Sequence, residues 1–184
     1  TLNEGVYPPA LIPIVEPRVR SRHELEDSQW LPMTGYTEPP KLDIKRRLDY
    51  RRAEMIDILK SAIVKDQMAV DISVDLLKNS PVDVCLVYLR ATDTVCHKFW
   101  RDRTGENGPD SLYSQTIDRI YEWSDQQIGR LLEICPENTE VVIISDHGFK
   151  GMGMGDPITD HRKEGVLIWS GSSARQGWFE DRVT

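Results

Sequence analysis

The pattern of apolar and polar positions predicts two long helices. In residues 43–79, apolar side chains recur at helical spacing, charged residues fill the gaps, and no glycine or proline interrupts the pattern. The sequence Asn79-Ser80-Pro81 is expected to end this helix. Residues 111–134 show the same spacing, which predicts a second amphipathic helix.

Three short apolar runs predict strands. The run Val82–Leu89 is rich in β-branched and aromatic residues, which is typical of a strand buried on both faces of a parallel sheet. Residues 140–145 and 165–169 form the other two runs, and a glycine-rich loop at 148–155 separates them. Strands that alternate with long helices predict an α/β fold with a mostly parallel sheet.

Residues 1–42 form a different kind of segment, because they are rich in proline. Proline removes a backbone donor and fixes φ, which excludes long helices and central strands. We therefore predict a proline-rich arm or loop at 1–42, which Trp30 and Tyr36 could anchor by burial. The remaining residues, 43–184, are predicted to belong to one α/β domain.

Composition narrows the possible functions of this 184-residue chain. The net charge of −7 disfavours binding to a nucleic acid duplex, whose affinity comes from clustered Lys and Arg. No apolar run approaches the roughly 20 residues that would span a bilayer. A basic stretch followed by an apolar run is also missing at the start, so we expect no signal peptide and slightly favour a cytoplasmic location.

The three cysteines are odd in number and form no CxxC motif, so neither a disulfide framework nor a thiolate zinc site is indicated. Cys85 and Cys135 lie in apolar patterns and are predicted to be core residues. Cys96 lies beside His97, and a catalytic thiol there is the less favoured alternative.

Acidic residues and histidines fall where the predicted strands end. Asp93 and His97 follow the run at 82–89, and Asp146-His147 follows the run at 140–145. Ligands bind at the carboxyl ends of strands in such sheets. Asp93, His97 and a further histidine, His161 of Asp160-His161, would give an open site for zinc or a similar divalent metal. Asp146 and His147 would then be half of a second metal site.

Each of these motifs is weak alone, because an isolated D-x-x-x-H is more often a surface or capping pair. The complete set, at the ends of successive strands, favours a metal site. His23 lies in the proline-rich arm and is predicted to be a surface residue.

Three stretches of the sequence resemble the type I phosphodiesterase/nucleotide pyrophosphatase family of the alkaline phosphatase superfamily. They are Tyr88–Trp100, Ser145–Phe149 and Asp160–Gly171, in the family's order and spacing. The resemblance covers roughly residues 43–171 and implies a partial doubly wound, alkaline-phosphatase-like α/β fold. It also implies two divalent metal ions, with zinc as the expected metal.

The resemblance assigns ligands to both ions. Asp93, His97 and His161 would hold one zinc, and Asp146 and His147 would hold the other. The implied reaction is hydrolysis of a phosphodiester or phosphomonoester, with a phosphate-ester small molecule as substrate, through a covalent phospho-threonine or phospho-serine.

The sequence departs from the family pattern at its start. The family has an early strand that ends in a further Asp ligand, followed by the Thr or Ser nucleophile at a helix start. Residues 1–42 contain neither, and Thr34 and Thr37 lie among prolines. We therefore expect residues 43–184 to be the C-terminal part of a single metal-hydrolase domain. Its N-terminal part would lie outside this chain, which would be inactive alone.

Two alternatives remain open at the sequence level. One is another branch of the superfamily, namely a sulfatase, a phosphonate hydrolase or a metal-dependent mutase. The other is a non-catalytic binding or regulatory module that keeps a residual metal site.

Overall fold

A computed structural model describes residues 5–80, 82–108, 111–151 and 159–177, with the backbone alone described at 159 and 160. The chain divides into two compact units, Thr1–Ile134 and Cys135–Thr184. Helices form the first unit and short strands form the second. The structure therefore mixes helices with small sheets, which agrees with an α/β class.

The described part of the proline-rich segment folds into short turns within the first unit. Single-turn helices at Ile12–Val15 and Asp27–Trp30 alternate with 3₁₀ turns. Trp30 is buried, and its indole Nε1 donates a hydrogen bond to Asp27 Oδ1 at 2.9 Å. Tyr36 is half-buried, with its ring 5.8 Å from that of Tyr113. Burial of Trp30 confirms its predicted anchoring role.

Three long helices build the core of the first unit: α1 (Arg47–Asn79), α2 (Ala91–Arg103) and α3 (Thr116–Leu132). The helices predicted at 43–79 and 111–134 are confirmed as α1 and α3. The α3 helix begins later than predicted because Ser111 starts a turn: its hydroxyl donates to Asp102 Oδ1 and accepts from the Tyr113 amide. The most deeply buried side chains come from all three helices and include Leu59, Ile63, Val70, Val95, Phe99 and Ile120.

The α2 helix was not predicted from the sequence. Its buried side chains, Ala91, Val95, Cys96 and Phe99, recur every three or four residues, as one face of a helix requires. The stretch is short and rich in charged residues, so the pattern is weak. The apolar run 82–89 was predicted to be a strand, so the residues that follow it were expected to form the loop at the end of that strand.

The prediction of a doubly buried strand at 82–89 is wrong for this structure. Residues 82–89 form no strand. Leu86 is 92% exposed, and Tyr88 is 75% exposed. Cys85, predicted to be a core residue, is also exposed. An extended segment becomes a strand only when a neighbour completes its backbone hydrogen bonds. None of the described segments forms such a ladder with it.

The second unit contains four strands in two antiparallel pairs. Strand β1 (Val141–Ser145) pairs with β4 (Val166–Ser170), and β2 (Gly148–Gly151) pairs with β3 (Thr159–Arg162). The runs predicted at 140–145 and 165–169 are confirmed as β1 and β4. Their pairing is antiparallel, in contrast to the predicted parallel neighbours, and no parallel pair occurs among the described strands.

The glycine-rich loop predicted at 148–155 begins as strand β2, and its remaining residues, 152–155, lie outside the described part of the chain. Among the described helices, none has the length and apolar character needed to cross a membrane.

Candidate metal centre

Asp93 and His97 lie together on α2 in the first unit. Asp93 occupies the first turn of the helix, where a carboxylate interacts favourably with the helix dipole. His97 follows one turn later, at the i,i+4 spacing that places two side chains on one face. His97 Nε2 lies 3.4 Å from Asp93 Oδ1, and the two side chains are 35% and 33% exposed. Both side chains are therefore partly accessible from solvent.

The spacing of these two atoms fits a shared divalent ion. Zinc lies about 2.0–2.1 Å from nitrogen and oxygen ligands in tetrahedral geometry, which places two such ligands about 3.4 Å apart. The 3.4 Å separation of Asp93 Oδ1 from His97 Nε2 equals this edge length. Carboxylate and imidazole are also ligand types that zinc prefers. The pair consequently fits the metal that the sequence motif implies.

The start of α2 is fixed by Asp66, a buried residue in the middle of α1. Asp66 Oδ1 accepts a hydrogen bond from the Arg90 amide at 2.9 Å, and Oδ2 accepts one from the Ala91 amide at 2.7 Å. These are two of the N–H groups that a helix start leaves without an intrahelical partner. Burial raises the pKa of Asp66, and the two backbone donors oppose that rise.

Asp146 and His147 lie in the second unit, directly after β1. The Ser145 hydroxyl donates to the His147 carbonyl oxygen at 2.7 Å, which tightens the turn that follows the strand. His147 Nδ1 lies 3.3 Å from the Gly148 carbonyl oxygen, while its Nε2 lies 3.7 Å from Asp146 Oδ1. A proton on Nδ1 would satisfy that carbonyl and leave the Nε2 lone pair for a metal, which is the usual arrangement of a ligating histidine.

His161 joins this group from β3. Its backbone pairs with Phe149 across the β2–β3 hairpin, and its ring lies over the His147 ring with centroids 3.6 Å apart and planes inclined by 12°. The Phe149 ring meets both imidazoles edge-on, at 5.4 Å from His147 and 5.2 Å from His161. The hairpin thus brings together two histidines that are far apart in sequence.

Gly165 allows the residue before β4 to approach the end of β1 closely. A Cβ atom at position 165 would overlap the carbonyl oxygen of Ser145, at the end of β1. Only glycine lets the backbone pass at that distance without a shift. Gly165 therefore sets the spacing between the start of β4 and the residues that lead into Asp146.

Cys96 is unsuited to catalysis as a thiolate. It is 1% exposed, and burial raises its pKa to about 11. A reactive cysteine needs an accessible site that lowers the thiol pKa. The structure thus disfavours the catalytic-thiol alternative.

The five sequence-predicted ligands fall into two groups. Asp93 and His97 form one group in the first unit, and Asp146, His147 and His161 form the other in the second. The side chain of Asp160 lies outside the described part of the structure. Asp66 was not predicted to be a functional residue, because a charged residue in an amphipathic helix is expected to lie on the solvent-exposed face of that helix. The exposed His23 is the surface residue that was predicted.

Comparison with protein families gives a match over most of the chain. The family described as "Type I phosphodiesterase / nucleotide pyrophosphatase" matches residues 11–164, a range that contains all five predicted ligands. Neither the curated proteins nor the solved structures give a significant match. The chain therefore belongs to the type I phosphodiesterase/nucleotide pyrophosphatase family, and through it to the alkaline phosphatase superfamily.

Proposed function

We propose that this chain supplies the metal ligands of a metal-dependent phosphoric ester hydrolase of the phosphodiesterase/nucleotide pyrophosphatase type. The family is a hydrolase family. The observation that carries the proposal is the Asp93–His97 pair, whose donor atoms lie 3.4 Å apart on one helix face. This spacing matches two adjacent ligands of one tetrahedral zinc ion.

The proposed ligand sets follow the family motifs. Asp93, His97 and His161 would bind the first ion, and Asp146 and His147 would provide part of the second set. The rings of His147 and His161 lie 3.6 Å apart, so one histidine of each proposed set lies beside one of the other. Two bound cations would stabilise the attacking and leaving oxygens of an in-line displacement at phosphorus.

Charge and side-chain orientation at the proposed ligands also favour metal binding. Asp93 and Asp146 contribute negative charge that offsets divalent cations. A proton on His147 Nδ1 would donate to the Gly148 carbonyl oxygen and orient the ring, with the Nε2 lone pair directed to a metal ion. The Asp146 side chain is 92% exposed, which leaves its carboxylate open to solvent and to a metal ion.

The nucleophile belongs, in this proposal, to a part of the protein outside these 184 residues. Thr34 supports this view, since it is 3% exposed and its hydroxyl donates to the Leu31 carbonyl oxygen at 2.9 Å. Such a hydroxyl is unavailable to attack phosphorus. We therefore propose that the isolated chain is inactive, because covalent catalysis requires the nucleophile.

Exposed apolar runs support the same proposal, that part of the domain lies outside this chain. Leu86 in the run 82–89 is 92% exposed, and Ile144 in β1 is 73% exposed. Apolar runs of this kind belong inside a parallel sheet covered on both faces. We propose that the N-terminal part of the same domain completes a doubly wound parallel sheet here. Hydrogen exchange at 82–89 should then be slower in the full gene product than in this chain alone.

The proposed function is tested by measuring whether the full gene product hydrolyses three substrates. These are a nucleoside triphosphate, a nitrophenyl phosphodiester and a nitrophenyl sulfate. We expect turnover of the first two, and a large loss of that turnover in Asp93→Asn, with Asp57→Asn as a surface control. Preference for the sulfate ester would assign the protein to a sulfatase branch. Absence of any metal-dependent turnover would contradict the proposal.

A further inference from the structure

The α2 helix carries Asp93 and His97, so the position of its first turn decides where both donor atoms lie. Metal sites tolerate ligand displacements of only about 0.2 Å. Something in the protein must therefore hold this helix start in place. The preceding run 82–89 forms no ladder with any described segment, so the fixed contacts of the helix start come from elsewhere.

Asp66 provides those contacts. Its two carboxylate oxygens accept the amides of Arg90 and Ala91 at 2.9 and 2.7 Å, and Asp93 follows Ala91 by two residues. The N-cap residue of α2, Arg90, makes no cap hydrogen bond with its own side chain. The cap is thus supplied across the fold, from a residue 24 positions earlier in the chain.

Asp66 is itself deeply buried in the helical unit. It is 2% exposed and lies on α1 between the buried residues Ile63 and Val70. Close-packed interiors transmit small displacements to the groups that contact them. A buried carboxylate is costly for stability, and an apolar side chain would be less costly to bury at this position. The pair of charge-assisted hydrogen bonds to the helix start is what distinguishes Asp66 from its apolar neighbours on α1.

We propose that Asp66 is a positioning residue, which sets the location of the Asp93–His97 donor pair by fixing the first turn of α2. The inference rests on the proposed function, in which that pair binds zinc. Asp66 makes no contact with the metal in this proposal and acts through two backbone amides. Residues with such outer roles typically change metal affinity by about 10–100-fold.

The test compares Asp66→Asn with two matched variants on the same helix. Asp57→Asn removes an exposed carboxylate whose partner Arg22 lies 3.4 Å away, and it controls for charge. Val70→Ala removes packing from a fully buried site and controls for lost stability. Zinc affinity is measured by calorimetry on the whole chain, the unfolding midpoint by urea, and the ligand geometry by the visible spectrum of bound Co²⁺.

We expect Asp66→Asn to weaken zinc binding by about tenfold or more and to shift the Co²⁺ bands. The two control variants should keep the affinity and spectrum of the wild type, even though Val70→Ala lowers the unfolding midpoint. If Asp66→Asn binds zinc as tightly as Asp57→Asn and leaves the Co²⁺ spectrum unchanged, the positioning role is overturned while the metal site stands. If the wild-type chain binds no zinc, the proposed function is overturned and the role of Asp66 falls with it.

Discussion

His147 and His161 lie with their imidazole rings stacked 3.6 Å apart, although 13 residues separate them in sequence. The antiparallel β2–β3 hairpin makes this contact, because it pairs His161 with Phe149, two residues after His147. In the proposed ligand sets, this hairpin would contribute one histidine to each of the two zinc ions.

Gly165→Ala should destabilise the second unit. The added Cβ would overlap the Ser145 carbonyl oxygen, so β4 must move away from the end of β1. Overpacking of this kind costs about 1–3 kcal/mol. Hydrogen exchange at the amides of Val141–Ser145 measures the loss. The control is Gly129→Ala in α3, where a Cβ meets nothing within 4 Å and the helix should gain about 0.5–1 kcal/mol. Unchanged exchange in Gly165→Ala would contradict the close approach.

Glu140 should make the second unit sensitive to acid. The Ser173 backbone amide, the Trp169 indole and the Ser172 hydroxyl donate to its carboxylate, which lowers its pKa from 4.5 to about 2. Because the folded pKa lies below the unfolded one, the stabilisation is complete above about pH 4.5 and is lost as pH falls to about 2.

Comparison of Glu140→Gln with the wild type checks this pH dependence. The variant should lack the part of the acid-induced loss that falls between about pH 4.5 and 2. Glu137→Gln, at another exposed carboxylate of the same unit, should retain it. Identical pH profiles for the wild type and Glu140→Gln would show that the three hydrogen bonds contribute nothing.

Cys96 should resist alkylation in the folded protein. Burial raises its pKa to about 11 and also blocks access of the reagent, whereas Cys85 is exposed. Brief treatment with iodoacetamide near pH 8, followed by peptide mapping, should label Cys85 first and Cys96 only after unfolding. Labelling of native Cys96 as fast as Cys85 would restore the catalytic-thiol interpretation.

Much of this fold could be predicted from the sequence, because the periodicity of apolar residues within a segment determines whether it forms a helix or a strand. The α1 and α3 helices follow from long amphipathic spacing, and β1 and β4 follow from short apolar runs. The α2 helix was missed because its apolar face is short and its polar face carries the candidate ligands. The run 82–89 has strand composition, but a strand also needs a pairing partner, and a single segment carries no information about that partner.

In the site, too, local motifs could be predicted from the sequence, whereas contacts between distant residues could not. Asp93 and His97 could be found in the sequence because D-x-x-x-H is a local motif, although the helix that carries it was not predicted. The contact of His147 with His161 depends on the register of a hairpin, which the glycine-rich stretch between them conceals. Asp66 acts on amides 24 and 25 positions further along the chain, so its role becomes visible only in the structure.

Zinc calorimetry on this chain tests the central claim most directly. The wild type should bind zinc, and the double variant Asp93→Ala, His161→Ala should bind it more than about 100-fold more weakly, because changes outside the ligand set alone cost about 10–100-fold. His23→Ala, which removes an exposed histidine outside the site, should bind like the wild type. Equal zinc affinity in the double variant and the wild type would contradict the assignment of these residues as metal ligands.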